Sequence, residues 1–187
     1  MPHDDDLPLA VPLPDCTTAA PGASLRRAVP ADAAAMAACV CEAYLPYVER
    51  IGRQPGPMLD DYHAIAGGAA GASVEAWVAV ARRRVVGVLV IETRGGLAWL
   101  RNVAVRPDVS GTGIGRALLC LAERRARRLG HEWLYLYTHE LMWENRALYA
   151  RLGWDEYARH VESGYPRVFM RKRLVGAGRG DDDFARA

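Results

Sequence analysis

The segment Val103-Ala104-Val105-Arg106-Pro107-Asp108-Val109-Ser110-Gly111-Thr112-Gly113-Ile114-Gly115-Arg116 constrains the fold of this chain more than any other stretch. A β-branched run meets Pro107, which cannot donate to a sheet ladder and so ends a strand. Glycines follow at three alternate positions, and an Arg-Ala-Leu-Leu stretch begins directly after them. Glycine lets the backbone turn sharply and approach a ligand. The first amides of a helix have no intrahelical partner, so a strand, a glycine loop and a helix start in this order suit an anion such as phosphate.

Two phosphate-binding schemes fail on the residues. A P-loop needs Gly-Lys-Ser/Thr, but Gly115 is followed by Arg116 and Ala117. A dinucleotide fingerprint needs G-x-G-x-x-G, and here the third glycine comes one position early, with no acidic residue ending a strand at the required distance.

The surrounding pattern predicts alternating elements. Strands are expected at 24–29, 74–81, 85–93, 97–105, 133–138, 156–161 and 165–171, the second and third joined around Arg82-Arg83-Arg84. Helices are expected from Asp32 to near Pro46, then at 58–66, 114–129 and 144–152. This is an α+β domain: a mixed, mostly antiparallel sheet of about seven strands flanked by about four helices. The ordered domain is expected at 24–175, between disordered tails at 1–23, rich in Pro, Ala and Asp, and 176–187.

Composition narrows the partners. A net charge of +2 argues against nucleic acid, which calls for a clear basic excess. Of the 24 basic residues only Lys172 is a lysine. Cys16, Cys39, Cys41 and Cys120 lie at no metal-ligand spacing, so no metal is expected, and reduced thiols fit a cytosol. No apolar run reaches the roughly 20 residues that span a membrane. Asp4-Asp5-Asp6 stands where a signal peptide would be basic, so a cytoplasmic protein is expected. A homodimer is the default for such a chain.

A third phosphate scheme fits. The Val-x-Val strand, Gly113-x-Gly115 and the Arg-Ala-Leu-Leu helix resemble the pyrophosphate loop of the GNAT superfamily of N-acetyltransferases. Downstream, Glu144-Asn145-Arg146-Ala147-Leu148-Tyr149-Ala150-Arg151-Leu152-Gly153-Trp154 is similar to its second signature, an asparagine, then Leu-Tyr, then Leu-Gly-aromatic. The resemblance implies transfer of an acetyl group from acetyl-CoA to an amine by direct attack. A small or amino-acid-like acceptor is the leading expectation. A protein N-terminus or lysine, or a non-catalytic acyl-CoA sensor, are the alternatives.

The resemblance also implies roles. Tyr149 is the candidate acid for the departing thiolate; core filling is its structural alternative. Asn145, one helical turn before it, is expected on the cofactor arm, with a helix cap as the alternative. The Val103 amide is expected to hold the oxyanion, and Val103, Ala104 and Val105 to line the pantetheine arm. Ser110, Gly111, Thr112, Gly113, Ile114, Gly115 and Arg116 are expected around the pyrophosphate. Ser110 and Thr112 replace larger polar residues common in relatives, yet their hydroxyls can donate to phosphate. Many relatives carry a carboxylate near Arg101; here Glu140 and Glu144 are the next carboxylates along, and the base stays open. The Arg124, Arg125, Arg127 and Arg128 cluster is expected to be a solvated helix face. The acceptor pocket is expected between the first two helices and the last hairpin.

Overall fold

A computed structural model describes residues 22–174. The two expected tails lie outside the described residues except for Gly22 and Ala23, and Ala23 already opens the first strand. Seven strands, β1 (Ala23–Arg27), β2 (Val74–Ala81), β3 (Arg84–Arg94), β4 (Leu97–Val105), β5 (Trp133–His139), β6 (Asp155–Glu162) and β7 (Tyr165–Arg173), form one sheet in the order β1-β2-β3-β4-β5-β7-β6. Only the β4–β5 pair is parallel. Four α-helices, α1 (Ala33–Ile51), α2 (Tyr62–Ala66), α3 (Ile114–Arg128) and α4 (Trp143–Arg151), complete the expected α+β architecture.

Alternation along the strands builds a core on each face of the sheet. On one face Met36, Cys39 and Val40 of α1 and Tyr62 and Ile65 of α2 meet Val78, Val88, Val90 and Ala104. On the other, Ile114, Leu118, Leu121 and Ala122 of α3 meet Leu89, Ile91, Ala98, Leu100, Leu134 and Leu136. Gly87 sets how closely α3 sits: a Cβ there would lie 3.0 Å from Leu118 Cδ1 and 3.1 Å from Ile114 Cγ2. The β2–β3 hairpin turns on Arg82 and Arg83, both with positive φ (48° and 61°), as a tight two-residue connection requires.

Three expectations are corrected. Helix α1 does not stop near Pro46 but runs through it to Ile51, with Gly52 left-handed at its end. Proline removes one helical hydrogen bond, but the helix on both sides of it is held: Tyr44 by Asn102, and Arg50 by Glu144 and the Leu141 carbonyl. The helix expected over 58–66 is split into a 3₁₀ turn (Gly56–Leu59) and α2, because the Asp61 carboxylate accepts from the amides of His63 and Ala64 and starts a fresh helix. The arginine cluster of α3 is not wholly a solvated face. Arg125 grips Glu75 of β2 with two bonds (2.9 and 2.6 Å), while Glu123, buried, holds both Arg127 (3.2 Å) and Lys172 of β7 (2.6 Å).

Cys39 is buried and Cys41 exposed, on different faces of α1 and both free. Cys120 is disulfide-bonded, against the expectation of reduced thiols. Among the described residues no helix is long and apolar enough to cross a membrane, and no group of side chains could hold a metal ion.

Candidate active site

The parallel pair at the sheet centre opens almost as soon as it forms. Ala98 pairs with Leu134 and Trp99 with Tyr135, and beyond Trp99 no residue of β4 is paired with β5. The free edge has a defined chemistry. Arg106 N–H donates to the Val86 carbonyl, so β4 residues of even number aim their amides at β3. Val103 and Val105 therefore turn N–H and C=O toward the gap, while Ala104, expected beside them, is turned into the β3 ladder with its side chain in the α1 core.

A cleft of about 670 Å³, partly open to solvent, fills the gap. Val103, Asn145 and Tyr149 all line it, so α4 carries its two signature side chains to the open edge of β4. Asn145 is not the helix cap; its Oδ1 accepts a long bond from the Tyr47 hydroxyl (3.4 Å). Tyr149 is buried beside Trp154, and its hydroxyl has no hydrogen bond among the described residues. Burial pushes this phenol well above its ordinary range, so it holds its proton at neutral pH.

The glycine loop lies outside the cleft, reached along Val105. A Cβ on Gly115 would stand 3.5 Å from Val105 Cγ2. Gly111 and Gly113 are left-handed (φ 79° and 93°), and the amides of residues 111–116 find no acceptor among the described residues. Alternating left- and right-handed residues turn successive amides inward, a shape that binds anions. Not every expected ligand is available. The Ser110 amide is spent on Pro107 O, leaving its exposed hydroxyl. The Thr112 hydroxyl donates to Val109 O (2.7 Å) and braces the loop, which leaves its amide as the group free to meet a ligand. The Ile114 side chain is core, leaving only its amide, and Arg116 is exposed with no ion pair among the described residues.

Residues 72–156, just under half of the chain, match the family model for the acetyltransferase (GNAT) domain. The matched stretch takes in both signatures. This chain carries a GNAT acetyltransferase domain. Solved structures share the fold at low identity. The PaiA N-acetyltransferase of Thermoplasma acidophilum, in complex with coenzyme A, is 16% identical at a TM-score of 0.65, covering 81% of this chain and 98% of that one. Nourseothricin acetyltransferase is 20% identical at 0.63 over 82% and 99%. An acetyltransferase from Streptococcus agalactiae is 18% identical at 0.67 over 82% and 99%. No curated protein matches the sequence.

The second wall of the GNAT cleft was not visible in the sequence. Between Val90↔Asn102 and Ile91↔Leu100 the register slips, leaving Arg101 as the extra residue of a β-bulge. The slip reverses the alternation. Leu100 faces α3, then Arg101 and Asn102 both face the α1 side, where Arg101 meets Asp60 at 2.6 Å. Asn102 is fully buried: its Oδ1 accepts from the Tyr44 hydroxyl and its Nδ2 donates to the Tyr62 hydroxyl, both at 2.9 Å. Tyr62 donates onward to Pro57 O (2.9 Å). The chain of bonds ties α1, the bulge and the segment before α2 together. An isolated amide in an apolar strand was the available signal.

Among the described residues no carboxylate lines this GNAT cleft. Glu144 pairs with Arg50 at 2.8 Å, which holds its carboxyl below the usual range, and neither it nor Glu140 lines the cleft. His139 does line it, but its Nδ1 already accepts from the Leu141 amide (3.1 Å). That bond suits the neutral ring with its proton on Nε2, and burial likewise lowers its pKa. On the acceptor side, between the first two helices and the last hairpin, Tyr44 reaches the cleft, Asp61 is a helix cap, and Arg53 lies over the Tyr165 ring at 3.6 Å.

Proposed function

We infer that this chain is an acetyl-CoA-dependent N-acetyltransferase acting on the primary amine of a small molecule. The observation that carries the reading is the run of unpartnered amides at 111–116, continued by the outward backbone of Val105 and Val103 into a cleft lined by Asn145 and Tyr149. A pyrophosphate fits the first part and an extended pantetheine arm the second.

Acetyl-CoA supplies the thioester carbonyl. The loop amides, with Arg116 and the Ser110 hydroxyl, hold the pyrophosphate. Val105 pairs with the arm as an added strand would, and Asn145 steadies it from α4. The Val103 N–H faces the charge that develops on the carbonyl oxygen. As the amine nitrogen bonds to the acetyl carbon and the C–S bond breaks, Tyr149 gives its proton to the sulfur and recovers one from solvent. The amine sheds its surplus proton to water, since neither Glu144 nor His139 is free to take it.

The small-molecule preference rests on the roof of the cleft. Tyr165 of β7 donates to Gln54 O (2.8 Å), and Arg53 donates to Gly164 O (3.4 Å), so the final hairpin is joined to the segment after α1 above the acceptor side. A roofed cleft admits a compact molecule more readily than a peptide chain.

The test is direct. Coenzyme A should raise the melting temperature, by an amount equivalent to about 2.7 kcal/mol at a hundredfold excess over Kd. Acetyl-CoA should release free thiol only when an amine is added. Absence of both responses would overturn the reading.

A further inference from the structure

Two arginines are the charged side chains that line the cleft among the described residues, while Asp60 and Glu92 line the recess that adjoins it. Arg101, Arg167 and His139 line the cleft itself, and no carboxylate does among the described residues. Arg101 spends one terminal nitrogen on Asp60, and Glu92 stands 4.0 Å away. Arg167 spends one on Glu162, whose side chain is half exposed on β6. A guanidinium has five N–H donors, so each arginine keeps donors in hand. Arg167 is also fixed in place: it stacks on the Tyr137 ring at 4.0 Å, and its side chain is only 18% exposed. The neutral His139 ring adds an Nε2–H donor. At the mouth, Arg53 has no carboxylate partner among the described residues.

An alkylammonium in this cleft meets no carboxylate of its lining, and Asp60 and Glu92 in the adjoining recess are engaged by Arg101. A carboxylate meets several positioned donors, and an arginine fork suits its two oxygens. Resting on the reading of the cleft as the acetyl-transfer site, we propose that the acceptor is an amino acid or a similar amine whose carboxylate is held by Arg167. A lining without a carboxylate leaves an ammonium unpartnered, which favours the uncharged amine in a reaction that has no carboxylate base.

The experiment compares matched acceptors by thiol release from acetyl-CoA: a set of amino acids, their uncharged amides, the corresponding decarboxylated amines, and spermidine as a polycation. The free acids should exceed their amides and amines by about ten- to a hundredfold in kcat/KM, as expected for a charge-assisted hydrogen bond in a partly buried site. Spermidine should be the poorest acceptor. In Arg167→Gln the advantage should collapse through KM for the acids, while the amides change by less than about threefold, the size expected where no charged bond is lost. Amides, amines or spermidine used as well as the acids would overturn the proposal. So would an Arg167→Gln protein that loses the same factor on every acceptor, or a native protein that binds coenzyme A and acetylates nothing in the set. A protein that fails to bind coenzyme A fails at the earlier step, and the melting measurement separates the two.

Discussion

Three tyrosines near the cleft, Tyr62 and Tyr149 buried and Tyr44 half-buried, differ in what their hydroxyls do. Tyr44 and Tyr62 each donate to a fixed acceptor, whereas Tyr149 donates to none among the described residues. Only Tyr149 therefore has a proton uncommitted to structure. Tyr149→Phe keeps the ring and its contact with Trp154, so the fold should persist while turnover falls by the ~10²–10⁴ typical of lost general acid catalysis. Coenzyme A affinity should hold, and an acyl donor with a more acidic leaving group should recover part of the rate. Full activity in a folded Tyr149→Phe protein would leave the hydroxyl a packing group. Asn102 asks the opposite question. Asn102→Leu strips the Tyr44 hydroxyl of its acceptor inside the core, and urea denaturation should record a loss of about 1–3 kcal/mol. Its legibility was correspondingly poor: an asparagine in a strand reads as surface until the bulge at Arg101 is known, and one extra ladder residue has no compositional signature.

The packing of α3 against β3 links the binding loop to the sheet, because Ile114 is both the first residue of that helix and a core residue above Gly87. Gly87→Val would press on Leu118 and Ile114 together. It should cost about 1–3 kcal/mol, as overpacking usually does, and weaken coenzyme A binding by lifting the loop. Thermal unfolding with and without coenzyme A separates the two effects; an unchanged ligand-induced shift would mean the loop is held independently of Gly87. Gly113→Asp tests the loop itself. It puts a side chain and a negative charge at a left-handed residue beside the unpartnered amides, so the coenzyme A shift should vanish. This helix and β4 were readable because hydrophobic period and punctuation agree there. The end of α1 was not: Pro46 signals a stop, but bonds to β4 and to the α4 region, distant in sequence, carry the helix past it. The bond from the Thr112 hydroxyl to Val109 O was not readable either, since a hydroxyl in a turn satisfies itself on the nearest carbonyl and leaves no pattern in the sequence.

Across the whole molecule, titrating groups bound the range of stability. The Asp32 carboxyl is held low chiefly by its bonds to Arg26, and that of Glu75 by Arg125. Folded values below the unfolded ones mean stability that is complete above the ordinary carboxylate range and lost as pH falls through the lower folded values. The phenols of Tyr44, Tyr62 and Tyr149 are raised by burial, so their contribution is complete below their unfolded value and fades as pH climbs past it. Denaturation midpoints should therefore stay level between about pH 7 and 9, and ease below about 6.5 because burial lowers the His139 pKa. They should drop further below about 4, and drop again above about 10. A midpoint that falls steadily through neutrality would point to some other group. The Lys172–Glu123 ion pair has a practical corollary. Lys172 is the chain's single side-chain amine, and it is anchored and largely covered. Amine-directed labels and crosslinkers should thus find little to react with along this polypeptide, and acetyl-CoA should leave its side chains almost unmarked. Mass added to the protein during turnover would be a direct signal of acyl capture elsewhere than on lysine.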